Sequence, residues 1–365
     1  MACAQPDADS PSIHAPRGST ACQKDFFDTL SEALWLSHSA SAFFLKRDKV
    51  LAFFFDSLYN EGQGKSSYFI DFHHTGKRKG MEVSGLRTEE TLARELLEKA
   101  REFGADLAGL AAVADLVDGP SERLFPRMKD HARDHFAEQI TTGLPHGAVK
   151  WDPAEQTLLV FAVSHPEEEP ELDWWYGEIN PPGNQLLAQI ARSLRDYLAQ
   201  RAPEVQVWLK PYHVEKGGVY LKDAAVAAGL GRIGRNNLLI TPQYGPRVRL
   251  RAIGLSAALP SSPPLEEDPC QGCGAPCRKA CPRAAFSQVI YIPEETGLEQ
   301  LPARDGTYYR QLCALEMERN ENDAVPTANP ELSEEPLPLI RYCRACEFAC
   351  RIPKHPREKK ETQGG

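Results

Sequence analysis

The sequence lacks a long apolar run. Nowhere do apolar side chains continue for the roughly 18 positions that a membrane-spanning helix needs. The N-terminal segment has neither a charged stretch followed by an apolar one nor a twin-arginine pair, which are the marks of secreted and exported proteins. These absences predict a cytoplasmic protein with no membrane partner.

An excess of basic residues is also missing. The chain carries 42 Lys and Arg against 51 Asp and Glu, which gives a formal net charge of -9. Proteins that coat nucleic acids present clustered Lys and Arg to the phosphates. The composition therefore disfavours a nucleic-acid-coating surface, although a local basic groove is compatible with it. Hydrolases are set aside as well, because neither a GxSxG elbow nor an HExxH helix is present.

The helix and strand patterns divide the chain into four parts. Residues 1–80 show little periodicity, and we predict that they are an atypical N-terminal extension. Beyond them, apolar spacing predicts helices over 88–104, 182–202 and 222–234 and strands over 106–113, 157–165, 205–214 and 248–259. This alternation indicates an α/β or α+β domain over 81–262 that binds a cofactor or substrate. Residues 356–365 form a polar tail.

Eight of the ten cysteines lie close together near the C-terminus. They are Cys270, Cys273, Cys277, Cys281, Cys313, Cys343, Cys346 and Cys350. Such short spacings favour metal binding over disulfides in a reducing compartment. The first four, with Pro282 directly after Cys281, resemble the cysteine run of bacterial ferredoxins. We therefore predict a ferredoxin-like module over 263–355 that binds two [4Fe-4S] clusters.

The ligands of the two clusters are expected to cross over. In two-cluster ferredoxins, the cysteine before Pro ligates the other cluster. By this rule Cys350 completes the group that begins at Cys270, and Cys281 joins the later cysteines. The run has three residues between Cys273 and Cys277 instead of the usual two, which leaves this partition open. Zinc is the alternative, because two CxxC pairs are also typical of zinc ribbons.

One longer segment resembles a known superfamily. Residues 220–250 read YLKDAAVAAGLGRIGRNNLLITPQYGPRVRL, and the lone Cys313 in RQLCALEME stands between the two cysteine clusters. Together they resemble the epoxyqueuosine reductases and the corrinoid-dependent reductive dehalogenases, over roughly residues 88–355. The resemblance implies an α+β protein in which a nitroreductase-like domain holds base-off cobalamin and the clusters reduce it. It also implies an external ferredoxin or flavodoxin as electron donor and a small-molecule or tRNA-nucleoside substrate.

The same resemblance suggests cofactor-binding residues in one loop. The predicted set is Gly229, Gly231, Gly234, Arg235, Asn236 and Asn237. The glycines would let the backbone approach a large macrocycle, and the polar side chains would bind its amides or phosphate. The alternatives are a helix end with a tight packing turn for the glycines and solvated loop side chains for the other three.

Candidate catalytic residues follow from a difference between this chain and the superfamily that it resembles. The resemblance implies an Asp-Tyr-His element that supplies a proton, but the corresponding region here reads ELDWWYGEINPPGN. Asp173 is therefore one candidate acid, and His213 and Tyr220 are the others that we select. The other competing side chains are Tyr212, Glu215, Lys222 and Asp223. A lone histidine such as His213 is more often structural than catalytic.

Three functions remain in view. The first is a cobalamin-dependent reductase, and the second is an iron–sulfur electron carrier. The third is a reductive activator of a separate corrinoid protein. A carrier alone would not need the domain over 81–262, which counts against the second function and leaves the first and third open. Residues 71–76 match the DxHxxG pattern of proteins in which histidine replaces a cobalamin ligand, but without the usual strand and helix around it chance is the better explanation.

Overall fold

The computed structural model of the protein describes residues 82–128 and 140–353. The predicted N-terminal extension, the DxHxxG match and the polar tail lie outside these residues. Within the two described ranges, no helix is both long and apolar enough to cross a membrane. The structure is a mixture of helices and strands, as the sequence predicts.

The elements are numbered here in chain order. The helices are α1 (Glu82–Glu102), α2 (Pro120–Leu124), α3 (Pro182–Arg201), α4 (Leu221–Ala227), α5 (Pro276–Lys279), α6 (Pro293–Thr296), α7 (Arg310–Asn322) and α8 (Ala345–Phe348). The strands are β1 (Leu107–Ala112), β2 (Thr157–Ser164), β3 (Trp175–Tyr176), β4 (Val207–Leu209), β5 (Arg232–Ile233), β6 (Leu239–Ile240), β7 (Val248–Leu255), β8 (Val325–Thr327) and β9 (Leu337–Ile340). The two longest helices, α1 and α3, lie in the first half of the described chain.

A four-stranded antiparallel sheet forms the centre, in the order β1-β2-β7-β4. Every residue of β2 is buried, because helices cover both faces of the sheet. Successive side chains of a strand point to opposite faces. Accordingly Leu159 and Phe161 pack with α1 and α3, whereas Leu158 and Val160 pack with α4. The core is therefore two apolar layers separated by the sheet.

Several element boundaries differ from the predicted ones. The first helix begins at Glu82 instead of residue 88, and β4 covers only Val207–Leu209 of the strand expected over 205–214. The helix expected over 222–234 ends at Ala227, because Gly229 takes a left-handed conformation with φ of 70°. Such a glycine commonly terminates a helix. The sequence patterns thus predicted where the helices and strands lie more accurately than the residues at which they begin and end.

The cysteine-bearing segment shares a sheet with the preceding part of the chain. Strand β3 follows the acidic loop after β2, and it pairs with β9, which directly precedes Cys343. Strand β8 completes this three-stranded antiparallel sheet. The predicted division at residue 262 therefore separates two segments that exchange backbone hydrogen bonds, and the predicted domain boundaries stay a prediction.

A buried ion pair fixes the edge of the central sheet. Glu155, just before β2, lies 2.7 Å from Lys210, just after β4, and their side chains are 0% and 5% exposed. The Lys210 ammonium also lies 5.2 Å from the centre of the Trp151 ring. Gly254 makes room for the carboxylate, since a Cβ there would lie 2.0 Å from Glu155 Oε1. Burial raises the pKa of Glu155, and the hydrogen bond from Lys210 opposes the rise.

Removing Lys210 should destabilise the fold strongly. K210M leaves the Glu155 carboxylate buried without a cation, and breaking a buried pair in this way costs about 3–5 kcal/mol in free energy of unfolding. The matched control is R201M, which breaks the exposed pair between Arg201 and Glu95 and should cost no more than about 1 kcal/mol. Urea unfolding of both variants checks this, and equal losses would contradict it.

Candidate functional site

The first group of thiols gathers around Cys277. Burial raises the pKa of the Cys277 thiol, and the neighbouring thiols of Cys350, Cys270 and Cys273 raise it further. Burial likewise raises the pKa of Cys350, on which Cys270 and Cys273 also act. Cys277 lies on α5, which packs against α8, the helix that precedes Cys350. The structure therefore brings the last cysteine of the chain to the first three of the earlier run.

The remaining four thiols form a second group. Burial raises the pKa of the Cys343 thiol, and Cys313 and Cys281 are among the neighbours that raise it further. Burial is also the main cause of the raised pKa of Cys346, with Glu347, Cys313 and Cys343 adding to it and Cys277 of the first group contributing as well. The crossed ligand pattern stays a prediction. Metal binding by these cysteines stays a prediction.

The glycines of the predicted cofactor loop pack against the protein itself. A Cβ on Gly229 would lie 2.1 Å from the carbonyl oxygen of Pro263. On Gly231 it would lie 2.5 Å from the carbonyl oxygen of Ile240, and on Gly234 it would meet the Ile240 side chain at 2.4 Å. The helix end and tight packing turn, which were the alternative for these glycines, describe their surroundings.

The polar residues of the same loop bind the cysteine-bearing segment. Arg235 Nη1 donates to the carbonyl oxygen of Cys273 at 3.2 Å, and Asn236 Nδ2 donates to that of Cys346 at 3.5 Å. Asn237 Oδ1 accepts from the backbone N–H of Ala303 at 2.9 Å. The sequence analysis expected these three side chains either to bind a corrin or to be solvated, and the structure shows neither. We call residues 229–237 the docking loop.

Asp173 is held by two arginines. Its carboxylate contacts Arg249 and lies 3.6 Å from Arg344 Nε, and the three side chains are only 13%, 15% and 7% exposed. Arg249 Nη1 also donates to Asn184 Oδ1 at 2.8 Å, and Arg344 Nη2 donates to the carbonyl oxygen of His165 at 2.8 Å. The Asp173 carboxylate is thus the anionic partner of two guanidinium groups from different segments.

The other two candidate catalytic residues have separate partners. The Tyr220 hydroxyl donates to the carbonyl oxygen of Gly147 at 2.8 Å, and burial raises the pKa of Tyr220 above its usual range. The half-buried His213 ring stacks edge-on against Tyr212, with ring centres 5.2 Å apart. The contacts of Asp173, His213 and Tyr220 therefore do not join the three into one constellation. Their catalytic roles stay predictions.

The competing polar residues also have defined partners. Glu215 lies 3.2 Å from His146 Nε2, and Asp223 accepts hydrogen bonds from the backbone and hydroxyl of Ser121. Lys222 Nζ donates to the carbonyl oxygen of Asn237 at 2.8 Å, and burial lowers the pKa of this lysine. Lys222 therefore supports the docking loop.

A partly buried arginine cluster was missed by the sequence reasoning. It consists of Arg247, Arg249 and Arg344, which surround His165. Arg247 donates to the carbonyl oxygens of Glu347 and Ile352 at 3.0 and 2.8 Å. A signal was available, since arginines at alternate positions of an otherwise apolar strand are unusual in a core. The contribution of Arg344 was hidden because it comes from a distant segment.

His165 is buried beside this cluster with only 4% of its surface exposed. Burial lowers its pKa to about 3, and the positive charges of Arg344, Arg249 and Arg247 contribute. A hydrogen bond with the backbone of Val248 acts in the opposite direction. His165 is therefore neutral at pH 7, as a histidine among three arginines must be.

His165 should make the protein acid-sensitive. The unfolded chain binds a proton at about pH 6.5 but the folded chain only at about 3, so the free energy of unfolding falls below about pH 6.5 by up to about 1.4 kcal/mol per unit. In H165Q this contribution is gone. Between about pH 6.5 and about pH 5, the free energy of unfolding of H165Q should therefore fall by about 2 kcal/mol less than that of the wild type. Urea unfolding at the two pH values checks this, and an equal loss in both proteins would contradict it.

Comparison with known proteins gives sequence relatives and solved structures. No protein-family model matches the chain. The epoxyqueuosine reductase of Synechococcus sp. (strain RCC307) is 26% identical over 288 residues, which are 74% of this chain and 78% of the relative. A solved epoxyqueuosine reductase with an epoxyqueuosine-modified tRNA-Tyr stem loop superimposes with a TM-score of 0.46 at 18% identity, covering 72% of this chain and 66% of that one.

A catabolic reductive dehalogenase in complex with 3-bromo-4-hydroxybenzoic acid is also similar. It gives a TM-score of 0.40 at 16% identity and covers 56% of this chain and 27% of that one. The sequence relatives carry the name that the motifs of residues 220–250 and the cysteine pattern predict. The predicted resemblance is thus confirmed: the chain is an oxidoreductase that resembles epoxyqueuosine reductase.

Proposed function

We propose that this protein is an iron–sulfur oxidoreductase with two [4Fe-4S] clusters. The clusters supply single electrons for a reduction like that of its relatives, on a tRNA nucleoside or another small molecule. The observation that carries the proposal is the pair of four-thiol groups around Cys277 and Cys343, in which Cys270 and Cys277 are buried and the other six cysteines are partly buried. An external ferredoxin or flavodoxin of low potential would supply the electrons.

The spacing of the cysteines along the chain supports clusters over zinc. Cys270, Cys273, Cys277 and Cys281 lie within twelve residues and Pro282 follows directly, which resembles a ferredoxin run. Zinc ribbons instead use two separated CxxC pairs. The thiols within each group also act on one another's pKa values, so they lie near one another.

The chain's own residues hold the ligand loops in place. Arg235 binds the backbone at Cys273 and Asn236 binds it at Cys346, so the docking loop contacts both thiol groups. Arg278 extends this support by donating to the carbonyl oxygens of Arg235 and Ala303 at 2.7 and 2.6 Å. Backbone that is anchored in this way can present thiolates in fixed positions, which limits rearrangement during electron transfer.

Cobalamin binding by the docking loop does not fit these contacts. The glycines of the loop are occupied by protein backbone and side chain, and its polar groups bind the cysteine-bearing segment. We therefore derive no reaction step through a corrin. The same contacts favour a second candidate function, reductive activation of a separate corrinoid protein, because such an activator needs the clusters but no corrin site of its own.

Serine substitutions should sort the cysteines into two sets. C270S and C350S should each remove the same cluster, and C281S and C343S the other, lowering bound iron from about eight to about four atoms per chain. Iron and sulfide analysis with electron paramagnetic resonance of the reduced protein measures this. C22S, outside the cysteine-bearing segment, is the control and should keep both clusters. Stoichiometric zinc, or a shared phenotype of C350S and C343S, would contradict the assignment.

A substitution in the docking loop separates docking from corrin binding. R235A removes the hydrogen bond to Cys273 O, so iron should be lost to a chelator up to about tenfold faster, the equivalent of one hydrogen bond. R195A, which alters an exposed arginine on α3, should change nothing. Anaerobic titration with hydroxocobalamin is run in parallel. Loss of corrin binding in R235A with unchanged iron release would show that the loop is a cofactor site after all.

A further inference from the structure

The arginine cluster carries more positive charge than its surroundings neutralise. Arg247, Arg249 and Arg344 face two carboxylates, Asp173 and Glu347. His165 adds no charge, because its pKa is lowered to about 3. Burial and the neighbouring Arg344 lower the pKa of Arg249 to about 10, although Glu347 opposes the change. A partly buried site with excess positive charge attracts anions.

The hydrogen-bonding capacity of Arg249 is only partly used. Its Nη1 is bound to Asn184, and its Nη2 contacts Asp173. Its Nε is buried and has no acceptor among the described residues. Arginine binds carboxylates and phosphates best with two parallel N–H groups at once. Asp173 thus leaves the Nε donor of Arg249 unused. A free oxyanion could accept a hydrogen bond from it.

Asp173 comes from a short segment at the surface. It ends the 3₁₀ turn Pro170–Asp173, which follows the acidic loop after β2, and Glu171 in the same turn is exposed. The Arg341 guanidinium lies 4.6 Å from the centre of the next ring, Trp174. Moving the carboxylate aside would therefore displace a surface turn that precedes β3. The two guanidinium groups would remain in place, since Asn184 and His165 hold them independently.

We propose that Arg249 and Arg344 form a binding site for an oxyanion group of a ligand, a carboxylate or a phosphate, and that Asp173 occupies this site as an internal substitute. Arg344 lies between Cys343 and Cys346, so an anion bound there is beside the second thiol group. The inference gives the substrate of the proposed reductase an anionic group and in this respect rests on the proposed function. Anion binding itself requires no electron transfer.

The test compares two neutralising substitutions in one turn. D173N empties the site of its carboxylate, and E171Q makes the same charge change at an exposed position. The full-length protein, purified anaerobically, is titrated calorimetrically with acetate and with inorganic phosphate. D173N should bind one of the two at least about tenfold more tightly than the wild type and E171Q, a gain typical of charge-assisted hydrogen bonds. The two titrations distinguish a carboxylate site from a phosphate site.

A double substitution tests whether Arg249 is responsible. Adding R249Q to D173N should abolish the gain, whereas adding R251Q, on the same strand, should preserve it. Melting temperatures with and without the anion provide a second readout for variants of low stability, and only D173N and D173N/R251Q should be stabilised. The proposal is overturned if D173N binds neither anion more tightly than E171Q, because Asp173 would then be a structural partner of the arginines.

The outcome is independent of the proposed redox function. Anion binding by D173N in a protein that takes up no iron would leave the binding site standing and remove the reductase. Two intact clusters together with no gain in anion affinity would remove the anion site and leave the proposed redox function standing. The iron content of D173N and of the wild type is measured before each titration, so that the two outcomes can be told apart.

Discussion

Arginine side chains that donate to backbone carbonyl oxygens hold the cysteine-bearing segment against the central sheet. Apart from α7, the helices that the structure describes in this segment are short, such as α5 and α8, and their terminal carbonyl groups have no partner within the helix. Buried backbone groups of this kind must find donors elsewhere. Arg247 provides two for the loop around α8, and Arg304 donates to the carbonyl oxygen of Ile233 at 2.5 Å. The bonds from Arg247 thus anchor the backbone on both sides of Cys350.

The choice of arginine follows from its geometry. A guanidinium group offers five N–H donors in a rigid plane and remains charged when buried. Arg278 makes four such hydrogen bonds, since it binds two backbone carbonyl groups and both oxygens of the Asp305 carboxylate at once. A lysine at the same position would provide a single point charge and could not span three acceptors in fixed directions. The segment can therefore be rigid with little regular secondary structure.

Much of this arrangement can be read from the sequence, and the remainder cannot for a definite reason. The buried strand β2 follows from its run of apolar residues, and the grouping of Cys350 with Cys277 follows from the ferredoxin spacing rule. The antiparallel order of the sheet does not follow, because strand order depends on contacts between distant residues. The pairing of Asp173 with Arg344 is hidden for the same reason, since each residue taken alone is an ordinary charged side chain.

In the docking loop, the sequence motif was recognised, but its contacts in the structure differ from the predicted role in cofactor binding. Its glycines are needed where the chain passes close to another backbone, and such a need arises equally from a flat cofactor and from a neighbouring loop. The sequence of residues 229–237 does not distinguish the two cases. Only the position of Pro263 against Gly229, and of Ala303 against Asn237, identifies what approaches the loop in this structure.

The pairing of β3 with β9 has a consequence for how the protein could have arisen. Trp175 and Tyr176 belong to the first part of the chain, and their hydrogen-bonding partners belong to the cysteine-bearing part. A chain cut between the two parts would expose an unpaired strand edge on each piece, and such edges favour aggregation. The two parts are therefore poor candidates for exchange between proteins, and gene fusion or fission within 177–336 would be selected against.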